Sequence, residues 1–150
     1  MAGDMRTRLL ALGVIANLAF GAAMAQETQQ ETQDAKGSRE ARSLIERQLD
    51  AFSHNDAPAA YAEAAPSITA MFGDPDTFMS MVRQHYAPVY HHRSVDFGPA
   101  RTDADTIEQE VTFVDQDDEV WKALYRLTRQ PDGKWLISGC TLVRSNDKSI

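Results

Sequence analysis

The apolar residues in the first half of the chain follow a helical period. Behind Ser38, large apolar side chains recur at spacings of three and four, at Leu44, Ile45, Leu49 and Phe52. Such a stripe, preceded by a serine that can cap the first turn, predicts an amphipathic helix from about Arg39 to Ser53. One face of this helix should therefore be buried against the rest of the domain.

Prolines and a glycine divide the segment that follows into further helices. Pro58 suits the first turn of a second helix, which Pro66 ends. The letters SITAMF predict a short helical turn, and Gly73 permits a sharp bend after it. Asp74 stands as a cap before Pro75, so DPDTFMSMVRQHY is predicted to be a third helix.

After that helix the period becomes two, which is typical of β-strands. Four strands are predicted, over VYHHRSVDF, TIEQEVTFVD, EVWKALYRLTRQ and KWLISGCTLVR. Short turn-forming connections such as PDGK should join them into an antiparallel meander. Helices followed by strands in one domain predict an α+β fold, with N-terminal helices packed on a curved four-stranded antiparallel sheet.

The first 25 residues have the three-part order of a secretory signal peptide. Arg6 and Arg8 precede the apolar run LLALGVIANLAF, and the small residues Ala23 and Ala25 stand where a signal peptidase cuts. This run is shorter than the roughly 20 residues that span a bilayer. We therefore expect cleavage after Ala25 and a periplasmic or secreted protein that keeps no membrane anchor.

The segment after the predicted cleavage site is polar. Residues 26–37, QETQQETQDAKG, carry no large apolar side chain, so a disordered tether is expected there. A single domain is then predicted over residues 38–146, followed by a short C-terminal tail at residues 147–150.

Charge and cysteine usage narrow the chemistry of the mature chain. Loss of Arg6, Arg8 and Asp4 changes the net charge from −7 to −8, and an acidic surface does not attract phosphate. Nucleic acid is therefore not a predicted partner. Cys140 is the single cysteine, and its apolar neighbours predict a buried, unreactive thiol without an internal disulfide.

Three stretches carry a resemblance to a known family, namely IERQLDAF, FGDPDTFMSMVRQHYAPVY and QPDGKWLISGCTLVR. Over about residues 38–144 the chain resembles the exported bacterial domain-of-unknown-function family four-eight-six-four. The resemblance implies a nuclear transport factor two-like or cystatin-like architecture, a cone of bent sheet and helices. That superfamily includes isomerases, dehydratases and inactive binding modules, so the resemblance implies a fold and no reaction.

Strand parity and the resemblance together select candidate ligand-binding residues. If the first strand begins at Val89, His91 and Arg93 share a face with its apolar residues and should point into the cone. The Pro-Val-Tyr and Arg of the family pattern are similar to residues 88–90 and Arg93, which adds Tyr90. Aromatic residues on one face of the third and fourth strands complete the set: Tyr90, His91, Arg93, Trp121, Tyr125 and Trp135. Ordinary core packing of these aromatic residues stays open as the alternative.

Three of the four histidines lie in HYAPVYHHRSV, which raises the question of a metal site. On a strand, His91 and His92 would point to opposite faces, and His85 with either of them lacks a third ligand. No metal site and no cofactor are therefore predicted.

Several functions remain compatible with these patterns. We expect a non-catalytic exported module that binds a small apolar or acidic ligand, or a protein partner. One alternative is an isomerase-like or dehydratase-like enzyme with a pocket in the cone, although Asp74 is explained by capping and Asp96 falls on the polar side of a strand. A second alternative is a self-associating structural module, such as a homodimer.

Overall fold

The computed structural model describes the backbone of residues 18–145 and the side chains of residues 21–145. Most of the predicted signal peptide, and all of the predicted tail, lie outside the described residues. The helices are α1 Leu18–Ser53, α2 Ala57–Ala62, α3 Pro66–Phe72, α4 Pro75–His85 and α5 Ala87–Tyr90. The strands are β1 Ser94–Asp103, β2 Thr106–Val114, β3 Val120–Arg129 and β4 Trp135–Arg144.

The strands form one antiparallel sheet in the order β1-β2-β3-β4. This confirms the predicted α+β class, in which N-terminal helices precede a four-stranded meander. Alternate residues of β2 and β3, among them Phe113, Tyr125 and Leu127, are buried on the sheet face that meets the helices. The arrangement is compatible with a nuclear transport factor two-like cone. Within residues 18–145 no helix is both long enough and apolar enough to cross a membrane.

Helix α1 continues through the segment for which a disordered tether was expected, which corrects that expectation. The buried face of this helix extends towards the N-terminus from Ala41 to Gly37. Asp34 lies on the same face, about one turn before Gly37. The Asp34 carboxylate accepts a hydrogen bond of 2.6 Å from the Thr102 backbone N–H, and the Gln30 amide donates to the Thr102 carbonyl at 3.0 Å. These contacts with strand β1 are polar, which is why a search for large apolar residues overlooks them.

The third predicted helix forms α4 in the expected way. The Oδ1 atom of Asp74 accepts a hydrogen bond of 2.8 Å from the Thr77 backbone N–H, which satisfies one free donor of the first turn. Phe78 and Val82 lie on one buried side of the helix, as their spacing predicts. The confirmed cap and the apolar stripe fix α4 against the rest of the core.

The predicted first strand is wrong over its first five residues. Ala87–Tyr90 form the helical turn α5, with Pro88 in its first turn, and β1 begins only at Ser94. Backbone hydrogen bonds from the N–H of Tyr90 to the carbonyl of Tyr86 and from that of His91 to Ala87 hold this turn. Strand parity therefore does not apply to residues 89–93, and His91 and Arg93 are both exposed.

Strand β4 contains a bulge that changes which residues face the helices. Arg126 of β3 pairs with Gly139, but the next residue, Leu127, pairs with Ile137, so Ser138 is the extra residue. Ile137 lies on the buried face before the bulge, and Cys140 lies opposite buried Tyr125 after it. The face of β4 that carries Trp135 is therefore not continued by alternate residues after the bulge.

Candidate functional site

An apolar cavity of about 280 Å³ lies where α3 and α4 cover the bulged part of β4. Its wall includes Phe52 of α1, Ile68 and Phe72 of α3, Met81 of α4 and Ile137 of β4. Ring contacts order one side of this wall, since Phe78 packs against Phe72 at 5.7 Å and against Phe52 at 6.5 Å between ring centroids. The bulge contributes Ser138 and Gly139, and a Cβ built on Gly139 would meet no other atom within 4 Å.

Helix α3 closes the cavity without being embedded in the core. None of its residues is buried, and Met71 is 75% exposed although it also lines the cavity. The helix is held by the Tyr61 hydroxyl, which donates to the Thr69 carbonyl at 2.7 Å. It ends at Gly73, whose φ of 79° favours glycine. This seven-residue helix therefore packs less closely than α4, which buries Phe78, Met79 and Val82.

The sheet side of the cavity carries two tyrosines and the cysteine. The Tyr86 hydroxyl donates to the Cys140 carbonyl at 2.9 Å, while Tyr125 is only 2% exposed and its hydroxyl interacts with the Cys140 thiol. Burial raises the pKa of Cys140 to about 12, although the hydrogen bond from Tyr125 acts in the opposite direction. Burial also raises the pKa of both tyrosines above the ordinary range. All three groups are therefore neutral near pH 7.

The wall also carries the Ser138 hydroxyl and the amide of Gln48, which lies on the buried face of α1. Gln48 is 4% exposed, and its Nε2 donates to the Ala60 carbonyl at 3.2 Å. Among the described residues that line the cavity, none is Asp, Glu, Lys, Arg or His. The site can therefore hold apolar groups and accept or donate a few hydrogen bonds, but it offers no charge.

A family model described as "Domain of unknown function (DUF4864)" matches residues 28–150. The chain belongs to this family. The match confirms the resemblance and starts within α1, before the predicted domain start at Ser38 and before the residues that contact β1. A comparison with curated proteins finds no match for the chain. Membership of the DUF4864 family thus identifies the domain but assigns no activity to it.

In this DUF4864 chain, Tyr125 is the candidate residue that lines the cavity. Tyr90 is buried behind Phe52, with 5.8 Å between the ring centroids. Its hydroxyl donates to Asn55 and accepts from Nε of Arg83 at 3.2 Å. Tyr90 therefore joins α5 to α4 and to the turn after α1, and it does not contact the cavity.

The other four candidates lie in two separate surface regions. His91 and Trp121 line a shallow groove, in which the Trp121 indole N–H donates to the Asp115 carboxylate at 2.8 Å. Arg93 is exposed and forms an ion pair with Asp118. Trp135 lies at the other end of the sheet, stacked under the Arg129 guanidinium at 4.9 Å. The structure therefore does not bring the candidate set together into one site.

A metal site requires several ligating side chains close together in space. In the described part of the chain, no three His, Cys, Asp or Glu side chains are grouped so that they could share an ion. His92 Nδ1 is instead 2.8 Å from the Val89 carbonyl, and its ring packs edge-on against Phe113.

Sequence reasoning missed Gln48, Tyr86 and the residues of α3 that line the cavity. For Gln48 a signal was present, because it lies four residues after Leu44 and four before Phe52, on the stripe predicted to be buried. A polar residue at such a position indicates either a buried hydrogen bond or a site. For α3 the letters SITAMF predict a helical turn, but nothing in them indicates that it covers a void.

Proposed function

We propose that this protein is an exported, non-catalytic module that binds a small, apolar, uncharged molecule in the cavity beneath α3. The observation that carries the proposal is the composition of the wall. It is formed mainly by aromatic and aliphatic side chains, with a few neutral polar groups and no charged residue among the described ones. Pockets of this composition are typical of small-molecule sites.

The sequence left both a small apolar and a small acidic ligand open, and the composition of the wall favours the apolar ligand. An acidic ligand would enter as an anion, and an unpaired charge in an apolar site loses its hydration without compensation. No Lys or Arg among the lining residues can provide that compensation. An acidic ligand is therefore not part of the proposal.

The size of the cavity limits the ligand further. A cavity of about 150 Å³ is enough to hold benzene. The cavity described here, about 280 Å³, would accommodate a two-ring aromatic compound or a short aliphatic chain. Met71 and Met81 are flexible side chains that can adapt to either shape.

The neutral polar groups support binding without catalysis. General acid–base chemistry is most efficient when the pKa of the acting group lies near the working pH. Cys140, Tyr86 and Tyr125 have pKa values raised above their ordinary ranges, so they would keep their protons. Export is proposed from the signal-like order of the first 25 residues alone.

Naphthalene is a suitable first probe because it is apolar, uncharged and carries two rings. With the chain from Gln26 onwards, we expect saturating naphthalene to raise the melting temperature, since a ligand that binds only the folded state stabilises it. Substitution Ile68→Trp on α3 should fill the opening and abolish this shift. The matched variant Ser67→Trp places the same side chain on an exposed position of the same helix and should keep it. No shift in the unsubstituted protein, or equal shifts in both variants, would refute the proposed site.

A further inference from the structure

Gln48 is a buried amide in an otherwise apolar wall, and its hydrogen-bonding capacity is only partly used. The Nε2 group donates to the Ala60 carbonyl, as described above. The Oε1 atom accepts no hydrogen bond from any described residue. Within residues 21–145, Thr102 Oγ1 is the one side-chain atom that is sealed from solvent and also lacks a partner. Oε1 is therefore not sealed, and Gln48 lines the cavity.

The other polar side chains around the cavity already have partners within the protein. The Tyr86 hydroxyl donates to the Cys140 carbonyl, and the Tyr125 hydroxyl interacts with the Cys140 thiol. The Ser138 hydroxyl donates to the Arg126 carbonyl at 3.2 Å and accepts from the Thr128 hydroxyl at 2.7 Å. Gln48 differs from these hydroxyl and thiol groups because it carries an amide oxygen, a stronger acceptor, which receives no hydrogen bond from the described residues.

An acceptor buried in apolar surroundings is costly to leave unpaired. A ligand with a hydrogen-bond donor at this point would form a hydrogen bond with Oε1. A ligand without a donor would displace water from Oε1 and leave the oxygen unpaired. Discrimination of this kind is stronger than discrimination by apolar shape, because the unpaired group is on the protein.

We propose that the ligand of this cavity is a neutral hydroxyl compound, an alcohol or a phenol, whose O–H donates to Oε1 of Gln48. This inference rests on the proposed function and adds to it the functional group of the ligand and the residue that selects it. The hydroxyl is preferred to an ammonium group because no carboxylate lines the cavity among the described residues. It is preferred to an ether or ketone because those groups only accept hydrogen bonds.

Three compounds of the same ring system test the proposal: naphthalene, 2-naphthol and 2-methoxynaphthalene. Binding is measured by isothermal titration at pH 7 with the chain from Gln26 onwards. In the unsubstituted protein we expect 2-naphthol to bind about tenfold more tightly than 2-methoxynaphthalene. The reason is that 2-naphthol donates a hydrogen bond to Oε1, whereas 2-methoxynaphthalene has no donor and leaves this oxygen unpaired. The proposal fails if the two compounds bind equally well.

The variant Gln48→Met replaces the amide with an apolar chain of similar length. It should reduce the tenfold preference to about twofold or less while changing the affinity for naphthalene by no more than about threefold. The Ala60 carbonyl keeps the Glu63 backbone N–H as a donor, so the substitution does not leave it without a partner. The same exchange at Gln84, an exposed residue of α4 that does not line the cavity, should retain the tenfold preference. A preference that survives in Gln48→Met overturns the role of Gln48.

The design separates this inference from the proposed function. If naphthalene binds and 2-naphthol shows no advantage, the cavity is a binding site and the assigned functional group is wrong. If none of the three compounds binds to the unsubstituted protein, the proposed function fails and the inference fails with it. If Gln48→Met does not fold, the ratio measured in the unsubstituted protein still decides the functional group.

Discussion

The two ends of the sheet meet their helices in different ways. At the closed end, where α1 crosses β1 and β2, Gly37 lies directly against Thr102 and Ile107, and Ile107 is completely buried. At the open end, where α3 and α4 cover the bulge of β4, larger side chains surround a void of about 280 Å³. The closed end uses the smallest residue to bring the backbones together, whereas the open end holds them apart with aromatic rings.

This difference shows that the cavity does not follow from the fold alone. The helices pack closely on one end of the sheet and leave a cavity at the other end, so the cavity depends on local features. These are the shortness of α3, the absence of a buried residue in it, and the extra residue Ser138 in β4. A cavity that depends on few residues can be filled or closed by few substitutions, which makes the comparison testable.

The largest expected difference between the ends concerns truncation of isoleucine. Ile107→Ala at the closed end should lower the free energy of unfolding by about 3 kcal/mol, because a packed site cannot collapse around the missing atoms. Ile68→Ala at the open end should cost about 1 kcal/mol or less, since its side chain already borders a void. Urea denaturation of both variants measures the difference. Equal losses would mean that α3 is packed as tightly as the core.

The second prediction concerns Gly37. A Cβ at this position would overlap the Thr102 hydroxyl, so Gly37→Ala should destabilise the protein by about 2 kcal/mol despite the better helix propensity of alanine. In a Thr102→Ala background the cost should fall below about 1 kcal/mol, because the overlapping oxygen is gone. Urea denaturation of the two single variants and the double variant gives this coupling. A cost that is unchanged in the double variant would argue against close contact between α1 and β1.

The third prediction concerns the thiol at the open end. Folding raises the pKa of Cys140 to about 12, so the folded state keeps its proton at pH values where the unfolded thiol, with a pKa of about 8.5, has lost it. The contribution of the thiol to stability should therefore be fully present below about pH 8 and decline by up to about 2 kcal/mol between pH 8 and pH 10.

Cys140→Ser is the control for this pH dependence, because serine is similar in size and does not ionise in that range. The variant should show a flatter decline of the free energy of unfolding from pH 8 to pH 10, leaving the contribution of the tyrosines. The same decline in both proteins would show that the thiol is more solvated than its position indicates.

The smallest expected effect is that of Gly139→Ala at the open end. A Cβ there meets no other atom within 4 Å, so the change in stability should stay within about 0.5 kcal/mol or be slightly favourable. The same substitution should thus destabilise the protein at the closed end and have little effect at the open end. A loss above about 1 kcal/mol, measured by urea denaturation alongside Gly37→Ala, would show that the space beside Gly139 is filled.

The elements of this fold are largely predictable from local patterns, and the site is not. The stripe of α1, the cap at Asp74 and the alternation in β3 each reflect a repeat of a few residues. The bulge at Ser138 depends on pairing between two strands, and one extra residue reverses the faces of everything after it. Trp135, the candidate residue of the fourth strand, was therefore assigned to a face that β4 does not maintain.

The prediction of the first strand is wrong for a different reason. Pro88 and the residues after it are compatible with a helical turn as well as with a strand, and four residues are too few for a period to decide. His91 and Arg93 were thus placed in the interior although they are exposed. The cavity itself is a property of packing between distant segments, and no single stretch of sequence encodes it.

Strand β1 stands at the margin of the sheet, where unpaired backbone groups can recruit a strand from another molecule and start aggregation. Asp34 and Gln30 occupy both backbone groups of Thr102 from the side, so the amino-terminal part of α1 protects this margin. Cleavage after Ala25 would leave both residues in place. We therefore expect residues 26–37 to oppose association through this strand, and a chain shortened to begin at Ser38 should associate more readily.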